Sequence, residues 1–370
     1  MRIIVSGGGT GGHIYPAIAI AKGIEAASPD ARVLYVGTGE GMESRIVPER
    51  GVAFRPIHAR GWQGRKVSSL VKALKTNSQG QKEAGAIIDE FKPDAVVGTG
   101  GYVCLPVAQA AKKAGVAVYL HEQNAYPGLA NRLISLWAQG LMLTFEEARP
   151  LFPKSAQKKA VCTGLPVRPE ILAAKRPEAV RELGLQPDIP TLLAVGGSQG
   201  ARSINFAMIH VAKELYGRAG VQILMATGRR DYERVVKGLE DAGIPVKGEK
   251  NIHLYPYLDR MELALAAADL YVGRAGATTL AELTVRGLPA VLIPYPFASA
   301  DHQTYNAKSL ADRGAAVLLE DKGLTGPKLL AVTEKLLADG SRLKQMAERS
   351  LECGKPRALD EIVRVLTSKE

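Results

Sequence analysis

Hydrophobic and polar residues alternate along the chain in a way that predicts strands separated by helices. In the first half, short apolar runs typical of buried strands occupy 2–6, 32–37, 53–57, 94–98, 116–120 and 140–144. Helical periodicity lies between several of them, at 16–27, 104–114 and 128–138. A second alternation begins at Thr191, with further strands expected at 221–226, 252–255, 270–272, 290–293 and 315–319. Because strands joined by helical crossovers pair in parallel, the pattern predicts an α/β fold whose parallel sheets carry helices on both faces.

Length and a linker divide the chain into two domains. With 370 residues, it exceeds the size at which one hydrophobic core usually stops growing. The segment 162–169 has the proline and glycine content of a linker. The final stretch, 343–366, is helical in pattern but is interrupted at Gly354-Lys355-Pro356, where the proline predicts a kink or a break.

Three of the predicted strands run directly into clusters of glycine, at 7–12, 98–101 and 196–200. Glycine has no Cβ and tolerates positive φ, so such turns bring backbone N–H groups close to a bound group. At a helix N-terminus these N–H groups and the helix dipole favour an anion. The three clusters together predict two nucleotide-fold halves that face one phosphorylated ligand.

The first cluster also has the spacing of a dinucleotide fingerprint, because Gly7, Gly9 and Gly12 satisfy G-x-G-x-x-G. That fold needs an acid at the end of the second strand to hold the ribose. Here the strand ends in a glycine-rich turn, with Glu40 only after it. NAD is therefore disfavoured, and the alternative to a phosphate cradle is a loop that serves only tight strand-helix packing.

Polar side chains next to two of the predicted strands are candidates for chemistry. His13 follows the first glycine cluster, where an imidazole could take a proton from an attacking hydroxyl near neutral pH, although a lone histidine is more often structural. The run His121-Glu122-Gln123-Asn124 follows a buried strand, at the edge where open α/β sheets place ligands. Asn124 is favoured for ligand contact, and an ordinary strand-to-helix turn is the alternative.

Two motifs of the second half predict a nucleotide site without a Walker lysine. The segment 273–282 combines a strand exit, small residues and a helix start, so the backbone at Ala277, Thr278 and Thr279 could receive phosphate oxygens. Glu282, one turn further, is placed to bind a ribose diol, or else it complements the helix dipole as an ordinary first-turn acid. In the segment 301–307, amide and imidazole groups suit a polyol, and Asp301 is the expected N-cap.

Positive charge is concentrated in the first half. The net charge is +11, and the segment from Arg50 to Lys82, both included, contains eight basic residues and no acid. Helical apolar spacing interleaves with cations there and predicts docking to anionic lipid headgroups, with a solvated helix as the alternative. The residues expected to dock are Trp62, Arg65, Lys66, Leu70, Leu74 and Lys75. Nucleic acid is disfavoured because aromatic residues are not interleaved with this basic segment.

Several classes of protein are not supported by the sequence. The three cysteines are widely spaced and suit a reducing compartment, and none has metal-ligand spacing. No Asp-x-Asp, His-Glu-x-x-His or Gly-x-Ser-x-Gly motif occurs, so no metal site and no serine-hydrolase site is predicted. No signal peptide and no apolar run of membrane-spanning length is evident. These features predict a cytosolic protein.

In order along the chain, the motifs at 8–13, 98–102, 121–124, 196–201, 274–282 and 301–303 resemble those of the peptidoglycan N-acetylglucosaminyltransferases of glycosyltransferase family 28. The resemblance implies a GT-B fold, with two Rossmann-like domains facing across a cleft. Residues 1–163 would form the acceptor and membrane-docking domain, with a C-terminal helix at about 345–370 packing back on it. Residues 164–344 would bind the UDP-sugar donor.

The same resemblance implies a role for individual residues. The backbone at Leu258 would face uracil, Ala277, Thr278, Thr279 and Ser198 the diphosphate, Glu282 the ribose and Gln303 the sugar. Thr10, Gly11, Gly12, Asn124 and Arg168 would approach the donor from the first domain and the hinge, and Gly98, Thr99, Gly100, Gly101 and Tyr102 would form an acceptor diphosphate loop. The family has Gln-Gln where this chain has His302-Gln303, so no contact is assigned to His302.

The implied reaction moves N-acetylglucosamine from UDP-N-acetylglucosamine to the C4 hydroxyl of N-acetylmuramic acid in undecaprenyl-linked lipid I, with inversion. An inverting displacement needs a base, for which His13 is the candidate, and needs stabilisation of the departing UDP. No cofactor is required, although stimulation by a divalent cation is left open. The expected location is the cytoplasmic face of the cell membrane, against anionic phospholipids. The rivals are a UDP-N-acetylglucosamine 2-epimerase, a diacylglycerol glycosyltransferase and a non-catalytic nucleotide-sugar sensor.

Overall fold

The chain folds into two compact α/β units in a computed structural model that describes residues 1–61, 67–197, 199–216, 220–246 and 251–367. The first unit comprises Met1–Pro166 together with Arg357–Glu370, and the second comprises Val167–Pro356. Within these described ranges each unit contains one parallel sheet, of seven strands in the first and six in the second. The boundary between Pro166 and Val167 lies inside the segment 162–169 that the sequence indicates as a linker.

The sheet of the first unit has the strand order β3-β2-β1-β4-β5-β6-β7. Its strands are β1 (Arg2–Ser6), β2 (Arg32–Thr38), β3 (Ala53–Ile57), β4 (Ala95–Gly98), β5 (Ala117–Glu122), β6 (Gly140–Leu143) and β7 (Ala160–Cys162). Its helices are α1 (Gly11–Ala27), α2 (Glu43–Glu49), α3 (Val67–Phe91), α4 (Cys104–Lys113), α5 (Leu129–Ile134), α6 (Lys154–Gln157) and α16 (Ala358–Thr367). All of its strand pairs are parallel.

The sheet of the second unit has the order β10-β9-β8-β11-β12-β13 and is also parallel. Its strands are β8 (Thr191–Val195), β9 (Gln222–Ala226), β10 (Ile252–Tyr255), β11 (Leu270–Gly273), β12 (Ala290–Leu292) and β13 (Ala316–Leu318). Its helices are α7 (Pro169–Ala173), α8 (Arg176–Glu182), α9 (Arg202–Leu215), α10 (Tyr232–Asp241), α11 (Met261–Ala267), α12 (Ala277–Arg286), α13 (His302–Ala311), α14 (Gly326–Leu337) and α15 (Gly340–Cys353).

Burial on both faces explains why the strands are continuous apolar runs. In β1, Ile4 packs into a core shared with α3 and α4, whereas Ile3 and Val5 pack into a second core shared with α1 and α16. The strand therefore has no polar face, as is usual for parallel sheets covered on both sides.

The strand order determines where the glycine clusters meet. In the first sheet β1 and β4 are neighbours, and in the second β8 and β11 are neighbours. In each sheet the connections proceed in opposite directions from this pair, which is the topological switch point where open α/β sheets bind ligands. The clusters at 7–12 and 98–101 thus lie side by side, and so do the segments 196–200 and 273–277.

Several boundaries differ from the sequence-based expectation, two of them by five residues or more. Helix α1 begins at Gly11 and contains Pro16 in its interior, whereas the pattern predicts a start at Pro16. The structure tolerates this proline because Ile14, Ala17 and Ile18 around it are buried in the core. Towards the C-terminus, α15 packs on α12 in the second unit and only α16 packs on α1. The returning segment accordingly starts at Arg357 rather than near 345, because the break at 354–356 separates the two helices.

In the described part of the chain, none of the helices combines the length and apolar character needed to cross a bilayer.

Candidate functional site

Two glycine loops of the first unit pack directly on each other. The N–H of Gly8 donates to the carbonyl of Gly100 over 3.3 Å. Gly101 has a φ of +85°, and a Cβ at this position would lie 3.0 Å from the backbone carbon of Gly8. Because real Cβ atoms do not approach backbone that closely, glycine is required at 101 by the contact between the loops.

A buried carboxylate accepts hydrogen bonds from the first glycine loop and from the end of β2. Glu43, at the start of α2, is fully buried and accepts hydrogen bonds from Thr38 Oγ1 at 2.6 Å and from the N–H of Gly9 at 3.5 Å. The sequence analysis missed this residue, since it looked for an acid only at the end of β2. The N–H groups of Gly8 and Gly9 are thus used inside the protein, which leaves the first turn of α1, at Thr10, Gly11 and Gly12, as the part of this loop able to receive a ligand oxygen.

His13 is held by one ring nitrogen. Its Nδ1 lies 2.9 Å from Gln123 Oε1 and 3.1 Å from the carbonyl oxygen of Thr99. The hydroxyl of Thr99 in turn donates to the backbone carbonyl of His13 over 2.8 Å. Gly100 follows with a φ of +109°, and a Cβ there would lie 2.9 Å from the imidazole. The structure therefore brings together His13, the loop at 98–101 and the polar run at 121–124, which the sequence placed at neighbouring strand ends.

Glu122 organises the segment that carries Asn124. Its buried carboxylate accepts from the N–H of Asn124 at 3.0 Å, from the N–H of Gly128 at 3.0 Å and from Asn131 Nδ2 at 2.8 Å. A carboxylate that receives several donors in this way fixes the backbone around it. Asn131 is a further residue that the sequence analysis missed, because it lies within α5 and only the fold brings it back to the end of β5.

His121 is fully buried and lies beside Gln123. Its Nε2 is 2.8 Å from the carbonyl of Gly164, and Gln123 Nε2 is 3.0 Å from its Nδ1. Burial lowers the pKa of His121 to about 4, against the opposing effect of the hydrogen bond to Gly164. The imidazole is therefore neutral at physiological pH.

This burial predicts acid lability of the first unit. A histidine with a depressed pKa adds stability that is complete above its unfolded pKa of 6.5 and is lost as the pH falls towards 4. Over that range we expect the free energy of unfolding to drop by about 3 kcal/mol on account of His121 alone. Urea denaturation at pH 7 and at pH 4.5 would measure this loss, and it should be much smaller in His121→Gln. Equal losses in the two proteins would contradict the assignment.

In the second unit the glycine loop after β8 is packed against the end of β9. Gly200 has a φ of +77°, and a Cβ there would lie 3.0 Å from the carbonyl carbon of Thr227. Asn205 of α9 donates to the carbonyl of the same Thr227 over 2.8 Å. The loop is thereby held at the N-terminus of α9. Ser198, the predicted diphosphate contact, lies outside the described residues.

The start of α12 carries the remaining predicted phosphate ligands. Ala277 is the first residue of this helix and is nearly buried, whereas Thr278 is exposed. Thr279 is partly exposed in the same first turn. The exposed first turn of a ten-residue helix is available to an anion.

Glu282 and Arg168, which lie 114 positions apart, form an ion pair. Arg168 Nη2 is 3.1 Å from Glu282 Oε1, and Glu282 is buried while half of the Arg168 side chain is exposed. Burial raises the pKa of Glu282, and the guanidinium of Arg168 opposes that shift. Among the hydrogen bonds between described residues, none reaches Glu282 Oε2. The structure thus joins two predicted donor residues and keeps one carboxylate oxygen available to a hydroxyl.

Gln303 is used partly by the protein itself. Its Oε1 accepts from the N–H of Tyr295 at 2.9 Å and from the N–H of Ala275 at 3.2 Å. The side chain therefore ties the end of β12 to the segment before α12, and its Nε2 is the atom suited to a ligand. His302 departs from the family pattern, and its Nδ1 lies 2.8 Å from the backbone carbonyl of Ser299. The imidazole therefore has a hydrogen-bond partner within its own loop.

The loop before α13 is strained. Ala300 and Asp301 have φ values of +51° and +54°, in the left-handed region that costs non-glycine residues energy.

Leu258, the other predicted donor residue, follows β10 at the edge of the sheet, and its side chain is buried.

Arg274 anchors a network that the sequence analysis did not identify. It is largely buried and donates to Asp321 Oδ2 at 2.6 Å, and to the carbonyl oxygens of Ile293 and Pro294. Ser203, in the first turn of α9, donates to the same carboxylate over 2.5 Å. The network joins the ends of β11 and β12 to the helix that follows the glycine loop.

The docking residues are only partly described. Trp62, Arg65 and Lys66 lie outside the described residues, as does the side chain of Leu70. On α3, Val71, Lys72, Leu74 and Lys75 are exposed. A second exposed apolar group, which the sequence analysis missed, comprises Leu129, Leu133 and Leu136 at α5 and the turn after it. Among the described residues, no cluster of three or more His, Cys, Asp or Glu side chains could hold a metal ion.

Comparisons with known proteins agree over both units. The glycosyltransferase family 28 N-terminal domain matches residues 3–142, and the family 28 C-terminal domain matches residues 191–362. A Moorella thermoacetica protein is 49% identical over 366 residues, covering 99% of this chain and 98% of its own. It is named UDP-N-acetylglucosamine–N-acetylmuramyl-(pentapeptide) pyrophosphoryl-undecaprenol N-acetylglucosamine transferase, as is a Bacillus subtilis protein that is 41% identical over 366 residues, covering 99% of both chains.

Comparison with solved structures supports the same family. MurG of Acinetobacter baumannii superimposes with a TM-score of 0.79 at 30% identity, covering 98% of both chains. A UDP-GlcNAc 2-epimerase from Neisseria meningitidis reaches a TM-score of 0.68 at 13% identity, covering 99% of both chains, and therefore shares the fold alone. The predicted α/β fold with two Rossmann-like parallel sheets and GT-B architecture is confirmed, and so is the resemblance drawn from the motifs. The chain belongs to glycosyltransferase family 28.

Proposed function

We propose that this chain transfers N-acetylglucosamine from UDP-N-acetylglucosamine to the C4 hydroxyl of N-acetylmuramic acid in an undecaprenyl-pyrophosphoryl acceptor, with inversion at the anomeric carbon. The observation that carries the proposal is the 49% identity, across 99% of the chain, to a protein whose name states this donor, acceptor and transfer. A shared fold alone would not support it, because epimerases have the same fold.

The second unit is assigned the donor. The first turn of α12, at Ala277, Thr278 and Thr279, would receive the diphosphate, and Glu282 Oε2 would accept from a ribose hydroxyl. Gln303 Nε2 would donate to a hydroxyl of the sugar, since its Oε1 is already used. We keep Ser198 as a diphosphate contact and the backbone of Leu258 as the uracil contact. The departing UDP would be stabilised by helix N–H groups rather than by a tightly held metal.

The first unit is assigned the acceptor and the base. The loop at 98–102 would position the acceptor diphosphate. The start of α1, at Thr10, Gly11 and Gly12, and Asn124 are kept as contacts to the UDP-sugar. His13 would take the proton of the C4 hydroxyl as its oxygen bonds to the anomeric carbon and the bond from that carbon to UDP breaks. A single displacement of this kind needs one base and no enzyme nucleophile.

The acceptor's lipid anchor requires the enzyme to act at a bilayer, and we propose a peripheral association with the cytoplasmic face of the cell membrane. The exposed Val71, Lys72, Leu74 and Lys75 of α3 support it, because apolar side chains flanked by lysine suit an anionic headgroup layer. The exposed leucines at 129, 133 and 136 form a second apolar group on the same unit. Trp62, Arg65, Lys66 and Leu70 stay in the proposal on sequence grounds alone.

Replacing Lys72 and Lys75 together by glutamine should weaken binding to vesicles that contain phosphatidylglycerol. Each lysine near an anionic surface is worth about 1 kcal/mol, so the loss should be about thirtyfold. Sedimentation with vesicles of graded phosphatidylglycerol content measures it. The matched control replaces Lys335 and Lys344, which are exposed on the second unit, and should retain wild-type binding. An equal effect of the two pairs would argue against α3 as the docking surface.

The function itself is tested by following radiolabelled sugar from UDP-N-acetylglucosamine into purified lipid I. Label in a lipid product of one added N-acetylglucosamine, formed only when lipid I is present, is the expected result. Parallel reactions with diacylglycerol and with no acceptor distinguish the rivals. Epimerised donor without acceptor, transfer to diacylglycerol alone, or donor binding without turnover would each overturn the proposal.

A further inference from the structure

We propose that Gln123 is a positioning residue that holds His13 in the Nδ1–H tautomer, with Nε2 bare to accept a proton, and that His121 sets the orientation of the Gln123 amide. This inference rests on the proposed function for its role in the reaction, but its hydrogen-bond geometry stands apart from it. Four residues are linked by successive hydrogen bonds, in the order Gly164, His121, Gln123 and His13.

The direction of every hydrogen bond in this chain follows from its one fixed end. A carbonyl oxygen can only accept, so His121 Nε2 donates to Gly164 over 2.8 Å. Because His121 is neutral, its Nδ1 is then an acceptor, and Gln123 Nε2 donates to it over 3.0 Å. Gln123 Nε2 also donates to the backbone carbonyl of His121 over 2.8 Å. A flipped amide would place its oxygen against that carbonyl oxygen, so the orientation is set twice.

The tautomer of His13 is the consequence. With its Nε2 turned to His121, Gln123 presents Oε1 to His13 Nδ1 at 2.9 Å. The carbonyl of Thr99, 3.1 Å from the same nitrogen, also only accepts. His13 Nδ1 must therefore carry hydrogen, and the neutral ring has its lone pair on Nε2. Once Nε2 has taken a proton, the two acceptors at Nδ1 stabilise the imidazolium through charge-assisted hydrogen bonds.

A neutral amide in this position has a different effect from a carboxylate. It orients the imidazole without placing a negative charge beside the ring. The ionisable groups in the loops around His13 include Glu43, which accepts from the N–H of Gly9, and Glu122, which accepts from the N–H of Asn124. They also include Tyr102, which packs against Gly9, and Cys104, whose pKa burial raises to about 11. The pH response of the base is therefore sensitive to what stands at 123.

The test begins with Gln123→Glu, assayed for transfer from UDP-N-acetylglucosamine to lipid I across pH 5.5 to 9.5. A carboxylate near Nδ1 favours protonated His13, so the base form appears at higher pH. We expect the ascending limb of kcat/KM to move up by about one pH unit. The matched control is Gln139→Glu, which adds the same charge to an exposed residue at the opposite edge of the same sheet and should leave the limb in place. An unmoved limb in Gln123→Glu, with wild-type UDP affinity, overturns the inference.

Gln123→Met is the second variant, because it keeps the shape of the side chain without its hydrogen bonds. We expect kcat to fall by about 10–100-fold with the Kd for UDP unchanged, and an unaltered kcat would count against a positioning role. The third measurement needs no variant near 123. Nitrogen-15 spectra of histidine-labelled wild-type protein, with His13 assigned from His13→Ala, should show Nδ1 protonated and Nε2 bare at high pH.

The opposite tautomer in those spectra overturns the inference whatever the variants do. The spectra also separate this inference from the proposed function. A wild-type protein that shows the Nδ1–H tautomer but transfers no sugar to lipid I would contradict the function and leave the hydrogen-bond assignment standing.

Discussion

His13→Ala should reduce kcat for transfer to lipid I by about 10²–10⁴-fold, the range over which a positioned general base accelerates proton transfer. The imidazole is partly exposed at the start of α1, and its Nδ1 is already engaged by Gln123 and Thr99. Removing it takes away the proposed base but leaves the second unit, to which we assign the donor, unchanged. We therefore expect the Kd for UDP, measured by calorimetry, to stay within about twofold of wild type.

The control for this variant is His58→Ala. His58 belongs to the same unit, is exposed, and its Nδ1 lies 2.7 Å from Glu83 Oε1. It should retain wild-type turnover. If His13→Ala keeps most of its activity, the base is another residue. If it loses affinity for UDP without a specific loss of turnover, a nucleotide-sugar sensor becomes the better description of the protein.

Glu282→Ala should raise KM for UDP-N-acetylglucosamine by about 10–100-fold, because a hydrogen bond to a charged acceptor contributes about 1.5–3 kcal/mol. The variant should still fold. Loss of the Glu282 carboxylate leaves Arg168 without its ion-pair partner. Half of the Arg168 side chain is exposed, so water can hydrate the guanidinium. The reverse change, Arg168→Ala, would leave a buried carboxylate unpaired and is the more damaging of the two to stability.

The matched control for Glu282 is Glu182→Ala. Glu182 also pairs with an arginine of the second unit, Arg260, over 3.2 Å. Its removal should leave the donor KM unchanged. Steady-state kinetics at fixed lipid I, with thermal melting of each variant, distinguish a lost donor contact from a lost fold. A donor KM in Glu282→Ala equal to that of Glu182→Ala would contradict the ribose assignment.

The sequence was most informative where chemistry and backbone conformation coincide. Glycine clusters at strand ends can be recognised directly in the sequence. The strand order then places these strand ends in pairs, at β1 and β4 and at β8 and β11. The strands themselves were predictable because their apolar runs are continuous, as burial on two faces requires. Helix α1 was predicted too short because glycine and proline both argue against a helix, whereas packing in the core outweighs that local preference.

The supports of the site could not be read from the sequence. Glu43, Asn131 and Asp321 look like ordinary surface residues along the chain, and only the fold brings them into contact with Gly9, Glu122 and Arg274. The pairing of Arg168 with Glu282 joins residues 114 positions apart. For Gln303, the sequence indicated a ligand contact but not that Oε1 is already bonded to two backbone N–H groups. Propensity and spacing describe neighbours along the chain, while these contacts depend on neighbours in space.

Helix α16 imposes an order on folding during synthesis. Leu359 occupies the space beside Gly23 of α1, and Ile362 is fully buried in the core that α1 shares with β1. The ribosome delivers these residues after all of the second unit, so 167–356 can reach its native state while the earlier unit still exposes an uncovered apolar groove. Domains generally fold as units when they emerge from the ribosome. The first unit is translated first, but it can complete its fold only after the second unit. Until then its exposed apolar groove is a binding site for chaperones.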